Sequence, residues 1–175
     1  SAGGLIGEYT GIHGLPSPSA YRTVNYVRAL RITAPAYKEV INKNNLSDLI
    51  DQRAKRREIL ERSWLFGESV SPPVLNDIAD AMIVHEFDKG IVLDDILADS
   101  VYLVVSGQVE LRRKRMENIN VETRSFFGEE HVLFGRRSDR RYRTLKACSL
   151  YQIPGSAIKK VPIVMWKMLE TFEYR

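Results

Sequence analysis

The sequence lacks the features that would support disulfide bonds or a membrane-spanning segment. It contains one cysteine, Cys148, among 175 residues, which excludes an internal disulfide framework and fits a reducing compartment. No uninterrupted apolar run approaches the roughly 20 residues that a membrane-spanning helix requires. We therefore expect a cytoplasmic location, as a free protein or as the soluble part of a membrane protein, with no membrane contact by these residues themselves.

Catalytic motifs are also scarce. The three histidines include no His-x-His pair, whereas a catalytic metal needs several ligands that converge on one point. No Gly-x-Ser-x-Gly turn of a hydrolase is present. Cys148 has no acid–base partner nearby in the sequence, so we expect a buried structural thiol. We predict that the protein is not an enzyme and holds no metal.

The net charge of +4 gives only weak support for binding to nucleic acid. The basic residues concentrate late in the chain, at Arg136, Arg137, Arg140, Arg141, Arg143 and Lys146. They could form a phosphate site, a nucleic-acid patch or a solvated edge. Strand alternation places Arg141 and Arg143 on one side and Tyr142 on the other. A solvated or partner-facing edge is the favoured interpretation.

The two ends of the chain share a sequence pattern. Gly7-Glu8 matches Gly128-Glu129 at an offset of 121 positions (128 − 7 = 121), and the same offset relates further pairs: Tyr21-Arg22-Thr23 with Tyr142-Arg143-Thr144, and Ala36, Lys38 and Val40 with Ala157, Lys159 and Val161. This gapless agreement indicates an internal repeat. We expect residues 1–44 to be the C-terminal half of a first copy, belonging to a longer protein; the alternative is a strand-rich extension.

The remaining pattern predicts short strands with helices at their ends. We expect a helical linker over 45–70, with its helix at 45–65, and a domain over 71–175 that begins with a helix at 71–82 and ends with one at 161–175. Strands are predicted at 83–87, 90–95, 100–105, 108–114, 121–126, 142–147 and 149–154, with a hairpin tip at 116–120. Closely spaced short strands predict an antiparallel barrel or sandwich.

The segment from Ser71 onward resembles the cyclic nucleotide-binding domain family. The order of "FDKGIVL", "VYLVVSGQVEL", "FFGEEHVLFG" and "CSLYQIP" follows that of the family, and "YLVVSGQVEL" and "FFGE" are the specific parts. The resemblance covers residues 71–165, and residues 4–41 as the back half of an earlier copy. It implies a mainly β fold, a jelly-roll barrel (double-stranded β-helix) flanked by helices. Gly90 and Gly107 suit tight turns in which φ is positive.

The resemblance also implies a ligand site, with cAMP or cGMP as the candidate ligand. In the family a phosphate cassette begins at Phe-Gly-Glu, matched here by Phe127, Gly128 and Glu129. A short helix directs its first amides at the cyclic phosphate, the glutamate accepts the ribose 2′-hydroxyl, and an arginine about nine residues later pairs with the phosphate.

This sequence departs from the family at the phosphate arginine. The position nine residues after Glu129 is Ser138, and the one nine residues after Glu8 is Ser17. The loop over 94–100 also lacks the family's glycines. Arg137 or Arg140 could substitute for it if the loop is rearranged, whereas Asp139 beside an anion is unfavourable and bulky arginines crowd the approach to the backbone. The candidate ligand-binding residues are therefore Phe127, Gly128, Glu129, Arg137, Ser138, Arg140 and Arg141.

Two functions follow from the resemblance and stay open at this point. The first is a regulatory module of a larger signalling or ion-transport protein, gated by nucleotide through the cassette and the C-terminal helix, where Trp166 could serve as a lid or pack on a neighbour. The second is a degenerate copy that binds no nucleotide and acts as an interaction or assembly domain, with its own side chain filling the pocket. Expected partners are other domains of the parent protein and a second copy. A transcription regulator is disfavoured because roughly 20 residues after Pro154 are too few for a helix-turn-helix.

Overall fold

The computed structural model describes residues 5–17, 20–94, 99–114, 117–135 and 140–175. The chain divides into two compact units, Ser1–Lys55 and Arg56–Arg175. In the described ranges, no helix combines the length and the apolar composition needed to cross a bilayer.

The first unit is helical. It contains α1 (Glu8–His13), α2 (Ala34–Lys43) and the first part of α3 (Ser47–Glu61). Glu8 accepts a 2.9 Å hydrogen bond from Arg53 of α3, and His13 lies 2.9 Å from Asp51. Residues 20–33, all of them described, belong to no helix or strand.

The second unit contains two antiparallel sheets. Its strands are β1 (Ile83–Phe87), β2 (Ser100–Ser106), β3 (Gln108–Arg112), β4 (Ile119–Glu122), β5 (Phe126–Phe127), β6 (Arg141–Thr144) and β7 (Cys148–Pro154). One sheet has the order β1-β7-β2-β5 and the other β4-β3-β6. Its helices are α4 (Pro72–Ala81), α5 (Glu129–Phe134), α6 (Gly155–Ile158) and α7 (Pro162–Tyr174), with a short 3-10 helix at Gly67–Ser69. The mainly β fold with flanking helices is confirmed.

Burial divides the core of this unit into two clusters. One lies beneath the helices, where Leu75 and Ile78 of α4 and Val164 and Met168 of α7 are buried. The other contains residues of both sheets, including Leu93, Tyr102, Val109, Phe127, Tyr142 and Leu150. The alternation along β6 is confirmed, because Tyr142 and Thr144 are buried while Arg141 and Arg143 are exposed. Cys148 is buried, as predicted.

Glycine permits the β2–β3 turn. Gly107 has a φ of 89°, and a Cβ there would lie 2.3 Å from the Ala147 carbonyl oxygen. Gly90 has a φ of 90°, so both predicted turn glycines are confirmed. Positive φ is cheap for glycine and costly for residues with a Cβ.

Several predicted strand boundaries need correction. The predicted strand at 90–95 is reduced to an isolated bridge between Val92 and Arg143, and Asp95 lies outside the described residues. The predicted strand at 121–126 is divided by a turn in which Arg124 has a φ of 70°. Of the predicted hairpin tip, Ile119 and Asn120 instead pair with β3, and Met116 lies outside the described residues. The strand predicted at 83–87 is confirmed at both ends as β1, and the other strands and helices differ from prediction by at most four residues at an end, where fraying and local hydrogen bonds decide.

Candidate ligand site

The candidate cassette begins where β5 ends. Phe127 is fully buried, and its ring stacks between those of Tyr102 and Tyr142, at centroid distances of 5.4 and 4.8 Å. Gly128 then adopts the left-handed conformation, with a φ of 85°, and α5 starts at Glu129. The turn role predicted for Gly128 therefore has the backbone geometry that it requires.

Glu129 faces two arginines in a fully buried position. Its Oε1 lies 3.2 Å from Nη1 of Arg140 and 3.5 Å from Nη1 of Arg175. Within the described part of the chain, its Oε2 is buried and has no hydrogen-bond partner. Burial raises the pKa of this carboxyl above its ordinary value; Arg175 opposes that shift, Glu130 adds to it, and Arg140 opposes it. Desolvation of the charged form thus outweighs the attraction of the two arginines.

Glu130 is buried beside Glu129 and accepts a hydrogen bond from Tyr142 of β6. The Tyr142 hydroxyl donates to Oε1 of Glu130 over 2.8 Å, and Nη1 of Arg140 lies 4.0 Å from Oε2. The pKa of Tyr142 is raised well above its ordinary value, mainly by burial and to a smaller extent by the charges of Glu130 and Glu129. Tyr142 is therefore a neutral donor at physiological pH.

The two arginines also attach α7 to the cassette. Arg140 donates to the Phe172 carbonyl oxygen over 3.3 Å, and its guanidinium lies 4.2 Å from the centre of the Phe172 ring. Arg175 donates to the Phe126 carbonyl oxygen over 2.6 Å. We name the five side chains that share these contacts the cassette cluster: Glu129, Glu130, Arg140, Tyr142 and Arg175.

The predicted site residues thus have different surroundings. Glu129 and Arg140 come together, and Phe127 packs in the barrel interior. Arg141 points elsewhere: its side chain is 74% exposed and pairs with Asp94 over 2.8 Å. Arg137 and Ser138 lie outside the described residues.

Sequence reasoning missed three members of the cassette cluster: Glu130, Tyr142 and Arg175. The doubled glutamate after Gly128 was one available signal, because two adjacent carboxylates near buried strands require positive or hydrogen-bonding partners. The spacing of Phe172 and Arg175 was another, because residues three apart share one face of a helix.

An open groove of about 400 Å³ lies beside the end of α7. It is lined by Trp64, Phe126 and Tyr174 among its aromatic residues, and by Arg124 and Arg175 among its cationic ones. The Trp64 and Phe126 rings are parallel, with centroids 6.3 Å apart. Phe126 packs in the cluster beneath the helices, so the groove differs from the interior, where Phe127 and Tyr142 stack. Trp166, considered as a lid, is 58% exposed.

Comparison with known proteins identifies the fold. No protein-family model matches the sequence, and no curated protein sequence matches it. Solved structures do match. The regulatory domain of Toxoplasma gondii PKA with cAMP has a TM-score of 0.65 at 14% identity, covering 79% of this chain and 56% of that one.

Two further structures extend the comparison. The regulatory subunit of a cAMP-independent protein kinase A from Trypanosoma cruzi, bound to guanosine, has a TM-score of 0.59 at 15% identity, covering 78% of this chain and 53% of that one. The sensor domain of the transcriptional regulator DNR from Pseudomonas aeruginosa has a TM-score of 0.56 at 18% identity, covering 68% and 91%. The chain thus spans about half of the two kinase regulatory structures. The resemblance drawn from the sequence is confirmed at the level of the fold: residues 56–175 have the jelly-roll fold of cyclic nucleotide-binding domains.

Proposed function

We propose that the second unit is a regulatory or assembly domain with the cyclic nucleotide-binding fold, in which the protein's own side chains take the place of the nucleotide. The observation that carries the proposal is the buried pairing of Glu129 with Arg140 and Arg175. In the family that the sequence resembles, the glutamate at the position of Glu129 accepts a ribose hydroxyl. Here it has no exposed surface, and two guanidinium groups lie against it.

The energetics of that pairing oppose a nucleotide. A cyclic phosphate that recruits Arg140 has to draw it away from Glu129 and from the Phe172 carbonyl. Separating one partner from a buried ion pair costs about 3–5 kcal/mol. Since each 1.4 kcal/mol is a factor of ten, the lower figure weakens an intrinsic affinity by roughly 100-fold.

The barrel interior supports the same proposal. The stacked rings of Tyr102, Phe127 and Tyr142 fill it, and each ring is at most 1% exposed. Admitting a purine would require these rings to change rotamer in a close-packed core, where added volume is destabilising. A domain filled in this way keeps α7 docked without ligand and offers a constant surface to other domains of its parent protein.

Calorimetric titration with cAMP, cGMP and guanosine tests this function. We expect no saturation below about 0.1 mM for any of the three, in a protein that circular dichroism shows to be folded. Micromolar saturable binding that Glu129→Ala abolishes would contradict the proposal.

A second candidate function is the ligand-gated regulatory module. It is favoured by the position of Arg140, which contacts the cassette through Glu129 and α7 through Phe172. A ligand that competes for Arg140 would weaken both attachments and release the end of α7. The similar structures with cAMP and with guanosine show that related folds accept either ligand.

Two neighbouring arginines provide the matched variants for this second candidate. Arg140→Ala should abolish micromolar binding, whereas Arg141→Ala should leave it unchanged because Arg141 pairs with Asp94 at the surface. Fluorescence of Trp166 on α7 should change on binding if the helix moves. Equal losses in both variants would count against a role for Arg140 in gating.

A further inference from the structure

The first unit repeats the local backbone of the cassette. Gly7 precedes α1 with φ and ψ of 80° and 17°, and Gly128 precedes α5 with 85° and 8°. Both helices have six residues, and each ends at a left-handed glycine, with φ of 66° at Gly14 and 63° at Gly135. These elements are related by the same offset of 121 positions (129 − 8 = 121) that the sequence predicts.

The first unit also repeats the cassette's ion pair. Glu8 is paired with Arg53 of α3 at 2.9 Å, 45 residues later. Glu129 is paired with Arg175, 46 residues later (175 − 129 = 46), at 3.5 Å. In each unit a glutamate at the first position of a short helix therefore meets an arginine farther along the chain, within α3 for Arg53 and directly after α7 for Arg175.

The two units differ in the burial of the segment that follows the short helix, β6 and β7 in the second unit and residues 20–33 in the first. In the second unit the inward positions of β6 and β7 are all at most 2% exposed: Tyr142, Thr144, Cys148, Leu150 and Ile153. The equivalents at the 121 offset keep small or apolar character, but all are exposed: Tyr21, Thr23, Val27, Ala29 and Ile32. Ile32, for example, is 57% exposed, whereas Ile153 is 0%.

We infer that residues 20–33 are an interaction surface: two segments, equivalent to β6 and β7, that become strands by pairing with the first half of a second jelly roll. In the second unit β7 pairs with β1 and β2, and β6 pairs with β3. The partner therefore supplies strands equivalent to β1, β2 and β3. Such pairing supplies the backbone hydrogen bonds of an added strand and buries its alternate side chains.

The register indicates that this partner is a segment of the same polypeptide joined ahead of Leu5. Leu5 and Ile6 fall, at the same offset, on Phe126 and Phe127 of β5. They are 59% and 70% exposed, whereas Phe126 and Phe127 are at most 3%. In the second unit β1, β2 and β3 all precede Phe126 in the chain, so the same offset places their equivalents ahead of Leu5. A second copy fits less well, because its own first half is already covered by its own β6 and β7.

The test is hydrogen exchange across residues 20–33, measured in this 175-residue chain and in the complete product of the gene that encodes it. We expect unprotected exchange in the 175-residue chain and exchange at least about 100-fold slower in the complete product, as for amides in a stable sheet. Unprotected exchange in both would overturn the inference, as would a complete product with no residues ahead of these. Protection of the 175-residue chain that grows with its concentration would also overturn it, by identifying a second copy as the occupant.

Two variants of the complete product distinguish strand pairing from general ordering. Val27→Asp places a charge at an inward position and should restore fast exchange across 20–33. Arg31→Asp, at the position of the half-exposed Gln152, should leave the protection within about threefold of the parent protein, as expected for a substitution on an outward face. Equal effects of the two would contradict the inferred register. This inference does not depend on whether the second unit binds a nucleotide.

Discussion

Glu129 is the residue whose removal should most disturb the cassette cluster. In Glu129→Ala, Arg140 and Arg175 lose their shared counter-ion while their side chains are only 10% and 17% exposed. Breaking a buried ion pair by removing one partner costs about 3–5 kcal/mol. We expect about 3 kcal/mol, the lower end of that range, because both guanidinium groups reach some solvent and keep carbonyl acceptors at Phe172 and Phe126.

Urea unfolding followed by tryptophan fluorescence measures this loss. With an m-value of about 1–3 kcal/mol/M, a loss of about 3 kcal/mol lowers the midpoint by about 1–3 M. Trp64 is a suitable probe because its ring stacks on that of Phe126, the first residue of β5, and β5 leads directly into the cassette.

The matched control is Glu58→Ala, which removes the exposed pair with Arg62. An exposed pair of this spacing contributes about 0.3–0.5 kcal/mol. A double-mutant cycle of Glu129→Ala with Arg175→Ala should give a coupling energy of about 0.5–3 kcal/mol. A loss below about 1 kcal/mol for Glu129→Ala, in the range of surface pairs, would refute the reasoning.

Three further substitutions test other parts of the argument. The folded state holds the Glu129 proton at pH values where the unfolded chain has released it. The stability of the parent protein relative to Glu129→Gln should therefore fall as pH rises from the ordinary value of 4.5 through the raised folded-state pKa; urea midpoints at a series of pH values measure this, and a constant difference would count against it. Tyr142→Phe should cost about 1–3 kcal/mol because buried Glu130 loses its donor; an unchanged urea midpoint would exclude that hydrogen bond. Gly107→Ala should cost about 1–3 kcal/mol more than Gly135→Ala, since both have positive φ but, among the described residues, only the first places a Cβ against neighbouring atoms; equal thermal shifts would exclude the steric explanation.

Much of the fold could be predicted because its signals are local. The prolines at the start of α4 and α7 and the glycines with positive φ at positions 90, 107 and 128 act through their own backbone preferences. Strand positions followed from alternation, as along β6. The prediction of a strand at 90–95 was largely wrong. Its composition suits a strand, but pairing depends on how it meets β6, some 50 residues away, and the two share only the bridge between Val92 and Arg143.

The sequence by itself determined that basic residues follow Phe127-Gly128-Glu129 where the family that it resembles has one arginine, and the resemblance implied a short helix after that turn. It could not determine which arginine meets Glu129. Arg140 and Arg141 are adjacent and chemically identical, yet the side chain of the first is only 10% exposed and lies against Glu129, whereas the second lies at the surface with Asp94. Tertiary structure decided this, because α7 brings Phe172 and Arg175 to the cassette. A charge can be buried only where partners from distant parts of the chain converge on it.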